Sequence, residues 1–80
     1  MADPLEEIIV KQRVARAASL VAGPKKLFVS NVSAAGATWT IHFIGAPKNY
    51  QVSIEASVDD NEDAIGRRIE KVLEREMARP

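Results

Sequence analysis

Cysteine is absent from this chain, histidine occurs once, and the charges cancel: 11 Lys plus Arg against 11 Asp plus Glu. Without cysteine there are no disulfides, no thiol catalysis, no iron–sulfur cluster and no Cys-ligated zinc. One histidine cannot build a multi-His metal site, so no cofactor or metal is expected. No apolar run approaches the roughly 20 residues that cross a bilayer, and the opening Met-Ala-Asp-Pro lacks the basic-then-apolar order of a signal peptide. A cytoplasmic protein with no membrane partner is the resulting expectation. Zero net charge argues against a strongly electrostatic task, because nucleic-acid-binding domains carry a basic excess.

What is present describes one folded domain. The 80 residues are 46% hydrophobic and 28% charged, a balance unlike that of disordered chains. Domains this short often depend on a staple or on oligomerisation. The cancelled charge is also segregated. Lys11, Arg13, Arg16, Lys25 and Lys26 fall in a stretch without acids, and Glu55, Asp59, Asp60, Glu62 and Asp63 in one without bases. Solvated surface explains both stretches, and a contact patch is the alternative.

The first element reads as a helix over about 4–22. Asp3 is a candidate cap, Pro4 suits the first helical position, Glu6 and Glu7 complement the helix dipole, and Gly23-Pro24 stop it. At about 100° per residue its apolar side chains form two groups. Val10, Val14, Ala17 and Val21 lie on one side, and Leu5, Ile8, Ile9 and Leu20 roughly opposite, among Gln12, Arg16 and Ser19. A helix apolar on two sides needs two packing partners: the sheet, and either the second helix or another chain.

Three strands follow, at about 26–33, 37–45 and 50–57, all alternating and rich in β-branched and aromatic residues. Ala34-Ala35-Gly36 reads as a three-residue hairpin loop and Ala46-Pro47-Lys48-Asn49 as a four-residue one, which together imply an antiparallel meander. Those loops pair Val29 with Ile41, Leu27 with Phe43, Phe43 with Val52 and Ile41 with Ile54. Leu27, Val29, Trp39, Ile41, Phe43, Tyr50, Val52 and Ile54 then form the core face. Phe28, Ser30, Val32, Thr38, Thr40, His42, Ile44, Gln51, Ser53 and Glu55 form the open face. An error of one residue at the first loop would exchange the faces of the first strand. The last element is a helix over about 60–78, capped by Asp59 or Asp60, with one stripe of Ile65, Ile69, Val72, Leu73 and Met77 and a fully polar opposite side of Arg67, Arg68, Lys71, Glu74, Arg75 and Arg79. The fold class is therefore α+β: a two-layer α-β-β-β-α domain with both helices on one sheet face and a radius of gyration near 12 Å.

Four constellations invite chemistry. Asp59, Asn61, Asp63 and Glu70 have calcium-loop spacing, but Ala64 occupies the position that normally needs glycine, and a strand rather than a helix precedes them. His42, expected opposite Ser53 and Phe28, has no oxyanion donors around it on a flat sheet. Gly23-Pro24-Lys25-Lys26 has too few glycines for a phosphate loop and leads into a strand. Trp39, Phe43 and Tyr50 fall on the core face and so are not base-stacking platforms.

The element order is similar to that of double-stranded-RNA-binding domains. That family reads RNA with a basic start to its last helix and a basic or His-bearing hairpin loop. Here those places hold Asp59-Asp60-Asn61-Glu62-Asp63 and Ala34-Ala35-Gly36, so the likeness is one of order alone.

The expected function is thus a small non-enzymatic protein-binding or regulatory module. It would bind another protein or itself as a homodimer through Phe28, Val32, His42, Ile44, Ile9, Arg13, Arg16 and Leu20. Accessory proteins of phages and plasmids that modulate host complexes are of this size. The alternative is a nucleic-acid-binding protein using Lys11, Arg13, Arg16, Lys25 and Lys26, and a small hydrolase built on His42 is a distant third.

Overall fold

The computed structural model describes residues 4–45 and 48–79. The chain runs as α1 (Pro4–Ala22), a 3-10 turn (Gly23–Lys25), β1 (Phe28–Ala35), β2 (Thr38–Ile44), β3 (Tyr50–Glu55) and α2 (Glu62–Met77). The strands form one antiparallel sheet in the order β1-β2-β3. Both helices cover the same sheet face, α1 chiefly over β1 and α2 over β3, and they pack against each other. This is the α-β-β-β-α two-layer architecture expected, with a radius of gyration of 12.2 Å. The expected Asp3 cap and part of the Ala46–Asn49 loop lie outside the described residues.

α1 ends where Gly23-Pro24 predicts, but the reversal is made further on. Lys26 takes the left-handed conformation at φ 59°. Its N–H donates to the Gly23 carbonyl at 3.1 Å, and the Leu27 N–H donates to the Ala22 carbonyl at 3.0 Å. These bonds satisfy carbonyls that the helix end leaves without partners. They also hold residues 26–27 out of the sheet, so β1 starts at Phe28 rather than 26.

The first hairpin corrects the expected register. Its turn is the two-residue Gly36-Ala37, with Gly36 at φ +65° and Ala37 outside the positive range, the pattern of a glycine-first hairpin turn. Ala34 and Ala35 are therefore strand residues, and Ala35 pairs with Thr38, Ala34 with Trp39 and Val32 with Ile41. Relative to the expected three-residue loop, this shift turns the upper half of β1 over. Val32, expected on the open face, lies on the core face and is half-buried against the core. A bulge between Val29 and Asn31, at Ser30, then takes up one residue and turns the strand back. Below it Val29 pairs with Phe43 and Phe28 with Ile44, which leaves Val29 on the core face and Phe28 on the open face as expected.

The β2–β3 pairing differs from expectation by two residues: Phe43 faces Tyr50, Ile41 faces Val52 and Trp39 faces Ile54. An even shift keeps every side chain on its expected face. The core comprises Val10, Val14, Ala17, Ala18, Val21 and Ala22 of α1, Leu27, Trp39, Ile41, Phe43, Val52, Ile54 and Ala56 from the strands and their flanks, and Ile65, Ile69 and Leu73 of α2. Val72 is half-buried and Met77 exposed, so the α2 stripe is deep at its middle and shallow at its end. Gly45 has a steric reason: a Cβ there would collide with Leu27 Cδ2 and lie 3.0 Å from the Lys48 carbonyl.

Candidate functional site

The cap of α2 is Asn61, whose side-chain oxygen accepts the Ala64 N–H at 2.8 Å, in place of the expected Asp59 or Asp60. Asp60 does something else. Its carboxylate receives both Arg68 Nη atoms at 2.9 Å, the Ser57 N–H at 2.9 Å and the Ser57 hydroxyl at 3.3 Å. The Arg68 guanidinium and the Ser57 N–H stabilise the ionised form and hold the Asp60 carboxyl at about 2, against an ordinary 3.8. The same pairing raises the Arg68 pKa. Arg68 Nη1 also donates to the Glu55 carbonyl at 2.9 Å.

Arg13 reaches this loop from the other helix. Its Nη1 donates to the carbonyls of Val58 at 2.7 Å and Asp60 at 3.0 Å, and the residue is half-buried. Two guanidiniums from two helices therefore tie down residues 55–60, which carry few apolar anchors of their own. The acidic entry to α2 is a structural joint: no group of three or more metal-ligating side chains occurs among the described residues.

This wiring redraws both expected binding sets. Arg13, expected in the protein-binding and the nucleic-acid sets, is committed inside the fold. Lys25 lies 3.6 Å from Glu74 Oε1, so its charge is partly offset. Among the described residues, the basic set Lys11, Arg13, Arg16, Lys25 and Lys26 is thus reduced to Lys11, Arg16 and Lys26 as charges without an ion pair. The expected contact of His42 with Ser53 does not form: His42 pairs with Asn31 and Gln51, while Ser53 faces Thr40, their hydroxyl oxygens 3.3 Å apart. His42 is half-buried in an open hollow with Ser30, Asn31, Ile44, Asn49 and Tyr50. The Ser53–His42 juxtaposition that the hydrolase reading, the distant third, would have used is therefore not formed.

Two apolar surfaces remain. On the open sheet face Phe28 and Ile44 are direct cross-strand neighbours, 74% and 49% exposed. The rest of that face is polar or small, with rows of Asn31–His42–Gln51 and Ser33–Thr40–Ser53. On α1, Ile8 and Leu20 are 55% and 70% exposed, Leu5 is exposed, Ile9 half-buried and Arg16 exposed between them. Leu20 overhangs a groove between the helices lined by Ala17, Val21, Glu62, Gly66 and Arg67. The two-sidedness of α1 is thus met on one side by the sheet and along its flank by α2, with the outer side left in water. A separate cleft of about 660 Å³ lies between the start of α1, the first hairpin turn and the loop before α2. Its floor is Val10, Trp39 and Ala56, and Glu6, Glu7 and Asp59 line it. The sequence reading missed this cleft, because its walls come from three segments far apart in the chain.

Comparison with protein-family models, with curated proteins and with solved structures finds no match for this chain.

Proposed function

We propose that this chain is a non-enzymatic protein-binding module that acts in the cytoplasm, in the manner of a small accessory protein regulating a larger complex. The observation that carries the reading is the Phe28–Ile44 pair. Two large apolar side chains adjacent on an otherwise polar sheet face lose free energy by staying in water, about 25 cal/mol for each Å² of apolar area. They contribute nothing to the core beneath them. Contiguous apolar surface with a polar rim is what a protein partner covers, and His42 stands one row away as a polar neighbour.

The test is capture from a lysate of the source organism, comparing the natural chain with a Phe28→Ser, Ile44→Ser double variant of unchanged circular dichroism. A protein retained by the first and lost by the second is the expected result. Equal retention by both removes this face from the proposal. The nucleic-acid reading has less support, since Arg13 and Lys25 are engaged within the fold. No gel shift at micromolar protein in low salt would remove it, because electrostatic binding is strongest there.

A further inference from the structure

The two edges of the sheet are unlike. At the β3 edge the Glu55 carbonyl is taken by Arg68, whose guanidinium also holds Asp60. Charge at an edge is one of the devices that keep strands from pairing with other chains. β1, Phe28-Val-Ser-Asn-Val-Ser-Ala-Ala35, contains no charged residue and no proline. Among the described residues its one protection is the bulge at Ser30, which leaves Asn31–Ala35 regular.

The hydrogen-bond alternation shows what that stretch presents. The Ala56 N–H donates to the Ala37 carbonyl at 3.2 Å, so odd-numbered residues from 37 on bond toward β3 and Thr38, Thr40 and His42 bond toward β1. Their partners Ala35, Ser33 and Asn31 bond inward. Val32 and Ala34 therefore turn their N–H and C=O groups out of the sheet. Their side chains lie on the core face at its open margin, Val32 half-buried and Ala34 exposed.

We propose that the Asn31–Ala35 edge of β1 pairs antiparallel with the same edge of a second copy of this chain, about a twofold axis at Ser33. This rests on reading the chain as a protein-binding module and names its partner. The register is self-consistent: with Ser33 opposite Ser33, Val32 meets Ala34 of the copy, and these are the residues whose main-chain groups face outward. Each such pair exchanges both of its bonds, and no like charges meet along the strand. The helices fit the same axis. α1 lies over β1, and at about 100° per residue the exposed Ile8 and Lys11 fall on the flank roughly opposite Ala17 and Arg13, which face α2 and the loop before it. The twofold brings the two flanks together above the joined strands, covering Ile8, Val32 and Ala34. Lys11 has a stem long enough to keep its ammonium in water. A charged foreign strand would find no counter-charge on β1, whereas the uncharged strand is its own complement.

Light scattering and amide exchange test this on the full chain. The expected mass at high micromolar concentration is twice 8.7 kDa, with the Val32 and Ala34 amides exchanging more slowly as concentration rises. Ser33 is exposed, so Ser33→Glu and Ser33→Lys leave the core untouched. Each alone should give the single-chain mass, and an equal mixture should restore the doubled one. A mass of 8.7 kDa for the natural chain at every concentration overturns the proposal. So does a dimer in which the Val32 and Ala34 amides stay concentration-independent, a measurement that needs no variant. Either result leaves the Phe28–Ile44 face to its own capture experiment.

Discussion

α1 and α2 sit side by side in one layer, yet they use their surfaces differently. α2 places Ile65, Ile69 and Leu73 in the core, and its opposite side is charged. α1 buries small residues, Val10, Val14, Ala17, Ala18, Val21 and Ala22, and leaves Leu5, Ile8 and Leu20 exposed. The helix with large residues inward is complete within the domain. The helix with small residues inward keeps its larger apolar side chains outside. That arrangement leaves Ile8 and Leu20 more than half exposed. Stability should therefore reside chiefly in α2, whereas the proposed pairing of two copies would draw on α1 and the β1 margin beneath it.

The sharpest way to break this contrast is to truncate one leucine in each helix. Leu73→Ala removes a fully buried side chain and should cost about 2–5 kcal/mol in urea unfolding, whereas Leu20→Ser should stay within about 0.5 kcal/mol. Comparable losses would mean that α1's outer side is packed in solution and is no docking surface. Next in size is Arg13→Ala, which leaves the Val58 and Asp60 carbonyls without their donor. A loss of about 1–3 kcal/mol is expected, with faster amide exchange in residues 57–60. No change in either would show Arg13 to be a free surface charge after all.

A smaller effect, of opposite sign, probes the helix–helix contact. A methyl on Gly66 would lie 3.8 Å from the Ala17 Cβ, an ordinary contact distance. Gly66→Ala should stabilise by about 0.5–1 kcal/mol through helix propensity, and a destabilised variant would mean the helices lie closer than described. The last prediction is a pH dependence. Because the folded Asp60 carboxyl titrates at about 2 and its ordinary value is 3.8, the unfolded chain binds this proton first as pH falls. The stabilisation is whole above about pH 4 and is lost between there and pH 2. Asp60→Asn should flatten the acid limb of stability against pH, and an unaltered limb would detach Asp60 from it.

Much of the fold was legible in the residues because period and punctuation agreed. The Ile65-Ile69-Leu73 spacing, the alternation around Trp39-Ile41-Phe43 and the Gly23-Pro24 stop each admit one reading. The site was less legible. Ala34-Ala35-Gly36 accommodates a two-residue or a three-residue turn, and the difference carried Val32 across the sheet until the Ser30 bulge restored Val29. Arg13 and Arg68 look like surface charges in the sequence. Only the folded loop offers them the Val58, Asp60 and Glu55 carbonyls, and nothing local to Arg13 signals partners 45 and 47 residues away in the chain.

By itself, then, the sequence determined the elements, their order, the layer they form and the exclusion of thiol and multi-histidine chemistry, since these follow from composition and from periods of 2 and 3.6. Tertiary structure alone decided the register of β1, the partners of the arginines and the inequality of the two sheet edges. Register depends on the geometry of one turn and one bulge, hydrogen-bond partners depend on which distant carbonyls the packing brings near, and which strand stands at an edge, and what folds against it, depends on the sheet order.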